Sequence, residues 1–119
     1  MGWPRLHPLT LLGLFAVAGC KETTMDERPC PPEGTQLTYE SFGRQFLSDH
    51  CQSCHGMPSK DRKGAPSAYD FGSHDDVKRF RERIFSRAAA DNTTMPPGPD
   101  DPPKEEREKL AEWLSCGAP

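Results

Sequence analysis

Residues 49–59 read D-H-C-Q-S-C-H-G-M-P-S, with two residues between the cysteines and His55 directly after the second. A C-x-x-C core serves zinc, a redox disulfide or a covalently attached haem, and each implies a different protein. Zinc wants four ligands, usually as two separated pairs, and the remaining candidates, Cys30, Cys116, His50 and His74, form no second C-x-x-C or H-x-x-x-H. A thioredoxin-like dithiol opens a helix after a strand, where the dipole lowers the thiol pKa; here the motif closes a helical pattern and no strand precedes it. Haem attachment needs two thiols that reach the porphyrin's two vinyl groups from one helical turn, and a histidine beside the second to face the iron. C-Q-S-C-H at Cys51, Cys54 and His55 meets that need, with one haem c per chain.

An iron that only exchanges electrons also wants a sixth ligand. Met95, in T-T-M-P-P-G-P, offers a soft thioether that stabilises the ferrous state, on a loop stiffened by prolines. Met57 is two residues from His55 and cannot reach the opposite face, Met25 lies in a polar stretch, and Met1 leaves with the leader. His50 and His74 remain as histidine alternatives, the first read as solvated and the second as the start of a helix.

Outward from the motif, the chain offers thin material for a core: 119 residues, 34% hydrophobic, with 13 prolines. A formal net charge of −3 argues against a nucleic-acid partner, which a basic excess would serve. Three segments carry helical patterns and no run alternates with period two. Thr38 caps a run with Tyr39, Phe42, Phe46 and Leu47. His74 to about Asp91 puts Val77, Phe80, Ile84 and Ala88 on one stripe behind Asp75 and Asp76. The third begins at Asp101-Pro102-Pro103 and closes at Cys116-Gly117, proline inside its start and glycine past its end. The expected architecture is all-α, three main helices around a large apolar cofactor that completes the core.

The N-terminal residues 1–19 read as an export signal: Arg5 and His7 lead into the apolar run Leu9 to Ala18. Ten residues span about 15 Å, roughly half a hydrocarbon core, so a membrane-spanning helix is not expected. Val17-Ala18-Gly19-Cys20 resembles the lipobox of bacterial lipoproteins, with Cys20 as the acylated first residue; the competing reading is plain cleavage after Ala16-Val17-Ala18. Parity favours the lipid. Five cysteines are odd in an exported chain, but with lipid on Cys20 and haem on Cys51 and Cys54, only Cys30 and Cys116 remain, and those two can pair. Residues 20–36, almost without apolar side chains and with three prolines, read as a flexible solvated tether, leaving 37–119 as the haem domain.

The order helix, C-x-x-C-H, proline-bearing loop, helix, M-P loop, final aromatic-bearing helix resembles a class I cytochrome c from Thr38 to Cys116. The lipobox and the closing L-S-C-G-A-P are similar to those of short bacterial cytochrome c lipoproteins. The resemblance implies that Gly43, eight residues before Cys51, lets the first helix cross closely over Trp113 of the last. Where the family carries an aromatic four residues before the first cysteine, this chain has Leu47 with Phe46 beside it. The resemblance also assigns Pro66 to the loop whose carbonyl accepts the His55 ring N–H, a bond that orients the imidazole. A crossing of the first and last helices would bring Cys30 near Cys116.

The function expected from these residues is one-electron transfer with redox protein partners and no small-molecule substrate, by a domain lipid-anchored to a bacterial membrane and facing the periplasm or exterior. The alternatives are a haem protein that binds a small gas at an open or displaceable sixth site, and a haem subunit of a larger oxidoreductase. A single haem motif argues against a self-sufficient dihaem peroxidase. Lys78, Arg79, Arg81, Arg83 and Arg87 on the second helix and Glu105, Glu106, Glu108 and Glu112 on the third read either as a dipole that steers partners or, more simply, as two solvated faces.

Overall fold

The computed structural model describes residues 1–2, 19 and 21–119. The leader and the lipidation site at Cys20 therefore lie outside the described residues, apart from residues 1–2 and 19. Among the described residues there is no strand, and no helix is long and apolar enough to cross a membrane.

A π-helical turn, Tyr39–Gly43, runs into α1, Arg44–His50, and the single turn α2, Gln52–His55, follows. Thr38 caps the entry reciprocally: its Oγ accepts from Ser41 N–H at 3.0 Å, while Thr38 N–H donates to Ser41 Oγ at 3.0 Å. The long helix α3, His74–Ala88, starts at Ser73, whose Oγ accepts from Asp76 N–H at 3.1 Å. It ends three residues earlier than the stripe suggests, because Ala89 turns extended and Ala90 is left-handed at φ 54°. The last helix, α4, Lys104–Ser115, follows Pro103 and closes at Cys116, with Gly117 at φ 92°.

The first and last helices cross at Gly43 and Trp113. A methyl group placed on Gly43 would fall inside the indole ring's contact distance, so only glycine lets the two backbones approach this far. Trp113, Leu47, Val77, Phe85, Leu110 and Leu114 are fully buried in the core of which this crossing is part. The C-terminal residues seal its outer side. Pro119 O accepts from Tyr39 N–H at 2.7 Å and from Trp113 Nε1–H at 3.1 Å. His74 stacks on Tyr39 at 4.2 Å, and its Nε2 donates to Ala118 O at 2.7 Å, since a carbonyl can only accept.

The segment expected to be a solvated tether is instead laid against the domain. Asn92 bonds both backbone groups of Thr23, Met25 packs on the core, Arg28 pairs with Glu108, and Thr35 Oγ1 donates to Glu112 Oε1 at 2.6 Å. Cys30 and Cys116 meet with Cα atoms 4.7 Å apart and their sulfurs joined. Hydropathy misjudged this strap because, besides Cys30 and the packing of Met25, its hold is made of polar side chains and backbone groups. The same contacts occupy part of the acidic face of α4, which is accordingly not simply solvated.

Candidate functional site

Backbone bonds fold the motif into one turn: Cys54 N–H and His55 N–H both donate to Cys51 O, at 3.2 and 2.9 Å. The loop 56–73 then returns to it. Phe71 N–H donates to His55 O at 2.7 Å, Gln52 Nε2 donates to Phe71 O at 3.0 Å, and the His55 ring stacks on Phe71 with centroids 4.6 Å apart. His55 Nδ1 lies 2.7 Å from Tyr69 O. A carbonyl has no proton to give, so Nδ1 carries the ring hydrogen and Nε2 keeps its lone pair for a metal.

The sequence expectation put Pro66 on the loop whose carbonyl takes this bond; the carbonyl on that loop is Tyr69's rather than that of Pro66 itself. Tyr69 N–H donates to Pro66 O at 3.0 Å, and this turn swings the Tyr69 carbonyl, three residues on, toward the ring. Pro66 O is also used by Arg62 Nη2 at 3.1 Å, and Pro66 keeps a place in the cavity wall. Arg62 fastens the whole loop, donating as well to Gly56 O at 3.2 Å, Ala65 O at 3.3 Å and Tyr69 O at 3.2 Å. Its five-donor planar fork suits such a cluster of carbonyls.

Met95 comes to the same cavity from the loop after α3. Its N–H donates to Arg87 O at 2.8 Å, and its carbonyl accepts from Arg107 Nη1 at 2.8 Å. Arg107, 3% exposed, also donates from Nη1 to Ala88 O at 2.8 Å and Asn92 O at 3.1 Å, so one buried guanidinium ties α4 to the end of α3 and to the methionine loop. Sequence reasoning missed it. The available signal was its position: Arg107 precedes Leu110 by three residues and Leu114 by seven, on the buried stripe of α4, where a charge needs partners.

These elements enclose a cavity of about 600 Å³. Cys51, Cys54 and His55 line it together with Met95, Tyr69, Phe71, Ile84 and Ala88, while Arg62, Lys63, Arg83 and Arg87 stand among its charged residues. Cavities that take an organic cofactor run to roughly 300–1,000 Å³ and are mostly apolar, and this one fits that description. The donor set fits haem too: two cysteines on one turn, an imidazole with its free nitrogen set by Tyr69 O, and one thioether. Burial pushes the Cys51 thiol up to about 12, with Arg107's charge opposing the rise and Cys54 adding to it. Burial thus works against the thiolate that disulfide exchange uses.

The other candidates separate cleanly. His74 is stacked on Tyr39 and bonded to Ala118 O, and is not among the residues lining the cavity. His50 reaches the cavity edge, with Nε2 3.2 Å from Glu106 Oε2 rather than free in solvent. Met57 is 79% exposed and lies outside the lining, and Met25 belongs to the strap.

A protein-family model described as cytochrome C oxidase, cbb3-type, subunit III matches residues 41–114, more than half of the chain. No curated protein and no solved structure matches it.

Proposed function

The chain belongs to the family described as cytochrome C oxidase, cbb3-type, subunit III, and on that premise we propose that it is a monohaem one-electron carrier whose iron is held by His55 and Met95. Membership brings the coarser conclusions: an all-α cytochrome c domain, covalently attached haem c, and haem-based electron transfer. The observation that carries the finer reading is that Cys51, Cys54, His55 and Met95 line one cavity, with the His55 tautomer set by Tyr69 O.

Bound there, haem would supply an iron able to cycle between ferrous and ferric states. The chain's own residues do the rest. Tyr69 O holds the imidazole's orientation and raises its basicity. Arg107 and Arg87 O hold the Met95 backbone from both sides, so the sulfur has a fixed origin in either redox state. Phe71, Ile84 and Ala88 give the cavity an apolar wall, which would limit the change in solvation on electron transfer.

The remaining features complete the proposal. Residues 1–19 are an export signal, Cys20 carries the lipid that anchors the protein to a bacterial membrane, Cys30 and Cys116 form a disulfide in the oxidising compartment the domain faces, and the partners are redox proteins. The family description favours one of these over a free shuttle, namely a haem subunit docked within a larger oxidoreductase. The 40% exposure of Met95 is what favours the other reading, a gas-binding protein with a displaceable sixth ligand.

Optical spectra of the matured protein test the core of this. Sharp reduced α and β bands together with the weak far-red ferric band of an iron–thioether bond are expected, with no carbon monoxide binding to the ferrous form at neutral pH. Stoichiometric carbon monoxide binding and no far-red band would reject the carrier and put the gas-binding reading in its place.

A further inference from the structure

Thr23 is gripped at both of its backbone polar groups by a single side chain. Its N–H donates to Asn92 Oδ1 at 2.9 Å, and its carbonyl accepts from Asn92 Nδ2 at 2.8 Å, which is the pairing a neighbouring β-strand would give. Asn92 is itself only 6% exposed, and its Nδ2 also donates to Phe85 O at 3.0 Å. Bonds made away from water hold more firmly than the same bonds at the surface. Around this clamp Glu22 pairs with Arg87 at 3.7 Å, Met25 packs on the core, Arg28 pairs with Glu108, and Cys30 meets Cys116. Between residues 22 and 30 the strap is held to the domain at Glu22, Thr23, Met25, Arg28 and Cys30.

We propose that the face formed by the C-terminal end of α3 and the loop carrying Asn92 and Met95 lies against the lipid surface. This rests on the lipid at Cys20. Only Lys21 and Glu22 separate Cys20 from Thr23, so at about 3.5 Å per residue the anchored residue lies within roughly 10 Å of the clamp. A loose tether of seventeen residues would instead average about 23 Å end to end and reach about 60 Å when extended. The clamp replaces that roaming volume with a fixed approach.

The orientation follows from the same contacts. Glu22 pairs with Arg87, and Arg87 O accepts from Met95 N–H at 2.8 Å, so the wall of the cavity that carries Met95 stands beside the anchor point.

The test uses the lipidated holoprotein in vesicles that carry a trace of lipid labelled with a fluorophore on its headgroup, which the haem quenches by energy transfer over short distances. Mass spectrometry of the mature N-terminus establishes the acyl group first. Three proteins are compared: the native chain, a chain with ten Gly and Ser residues inserted between Lys21 and Glu22, and Asn92→Ala. The insert leaves every domain residue in place, so its folding is not in question. Strong quenching by the native protein, loss of most of it with the insert, and an intermediate value for Asn92→Ala are expected. Equal quenching by the native and inserted chains overturns the short leash while leaving the lipoprotein reading intact. No acyl group at Cys20 overturns both.

Discussion

Replacing Gly43 by alanine isolates the helix crossing from everything else in the domain. The backbone at Gly43 is ordinary right-handed helix, φ −59° and ψ −45°, so alanine is welcome there and its helix propensity favours folding by about 1 kcal/mol. The cost is steric. The new methyl lies inside the contact distance of Trp113 Cη2 and Cζ2. That ring is fully buried, tied by Nε1 to Pro119 O, and flanked edge-on by Phe42 at 6.0 Å and by the near-parallel rings of Tyr39 and His74, each at 6.5 Å. It has nowhere to go, which places the overpacking penalty near the top of its usual range, about 3 kcal/mol. The net loss is then about 2 kcal/mol, or about 8–16 °C in Tm for a domain of this size. Denaturant unfolding of the holoprotein, followed by far-UV circular dichroism, reads it against Ser48→Ala, an exposed α1 substitution that changes propensity alone. Trp113→Phe supplies the decisive partner, because it removes the ring atoms the methyl meets. In that background Gly43→Ala should cost nothing, and strict additivity of the two substitutions would refute the crossing as the reason for the glycine.

The other predictions concern the site and the strap. Met95→Ala should abolish the far-red ferric band and open the ferrous protein to carbon monoxide while costing little stability, since the residue is 40% exposed; an unchanged band would move the sixth ligand elsewhere. Arg107→Met leaves the carbonyls of Ala88, Asn92 and Met95 without their buried donor, for a loss of roughly 3 kcal/mol or more and a weakened far-red band. A band and midpoint identical to the native protein would contradict the clamp. Replacing Cys30 and Cys116 together by serine removes a link across a sequence separation of 86, worth on the order of 4.5 kcal/mol in the chain-entropy model and less if the strap stays docked; equilibrium unfolding measures it. In the chain before haem loading, Cys51 should resist alkylation until the pH nears 12, because burial holds its proton. Above about 9 the unfolded chain gives up that proton while the folded one keeps it, so the unloaded domain loses stability as pH rises; rapid Cys51 alkylation near neutral pH would contradict this.

The parts of the fold that were legible are those set by local rules. C-Q-S-C-H has a spacing that only one helical turn satisfies, and Thr38, Pro103 and Gly117 mark helix ends because each acts on backbone groups within a few residues. The stripe Val77, Phe80, Ile84 and Ala88 found the inward side of α3, with Phe80 only half-buried, but not Phe85, since a helix packed between α4 and a cofactor cavity buries more than one row. The Tyr69 carbonyl was out of reach for a different reason. Which of several loop carbonyls turns toward His55 depends on the Pro66–Tyr69 turn and on Arg62, and neither leaves a pattern of period or composition.

The strap and Arg107 fall beyond reach of sequence reading together, for one physical reason. A chain as poor in apolar residues as this one still has to order its loops, and it does so by aiming polar side chains at backbone groups far away in sequence: Asn92 at Thr23 and Phe85, Arg107 at Ala88, Asn92 and Met95. Hydropathy scores such residues as solvent-facing, whereas satisfying carbonyls in the interior is what makes their burial tolerable. The two clamps also share a member. Asn92 holds the strap through its side chain, and through its own carbonyl it is held by Arg107, which holds Met95 as well. Strain on the anchored strap is therefore delivered to the residue that also fixes the proposed iron ligand. Asn92→Ala should accordingly lower the far-red band as well as free Thr23, and an effect on the strap with the ferric spectrum untouched would show that the two clamps are mechanically separate.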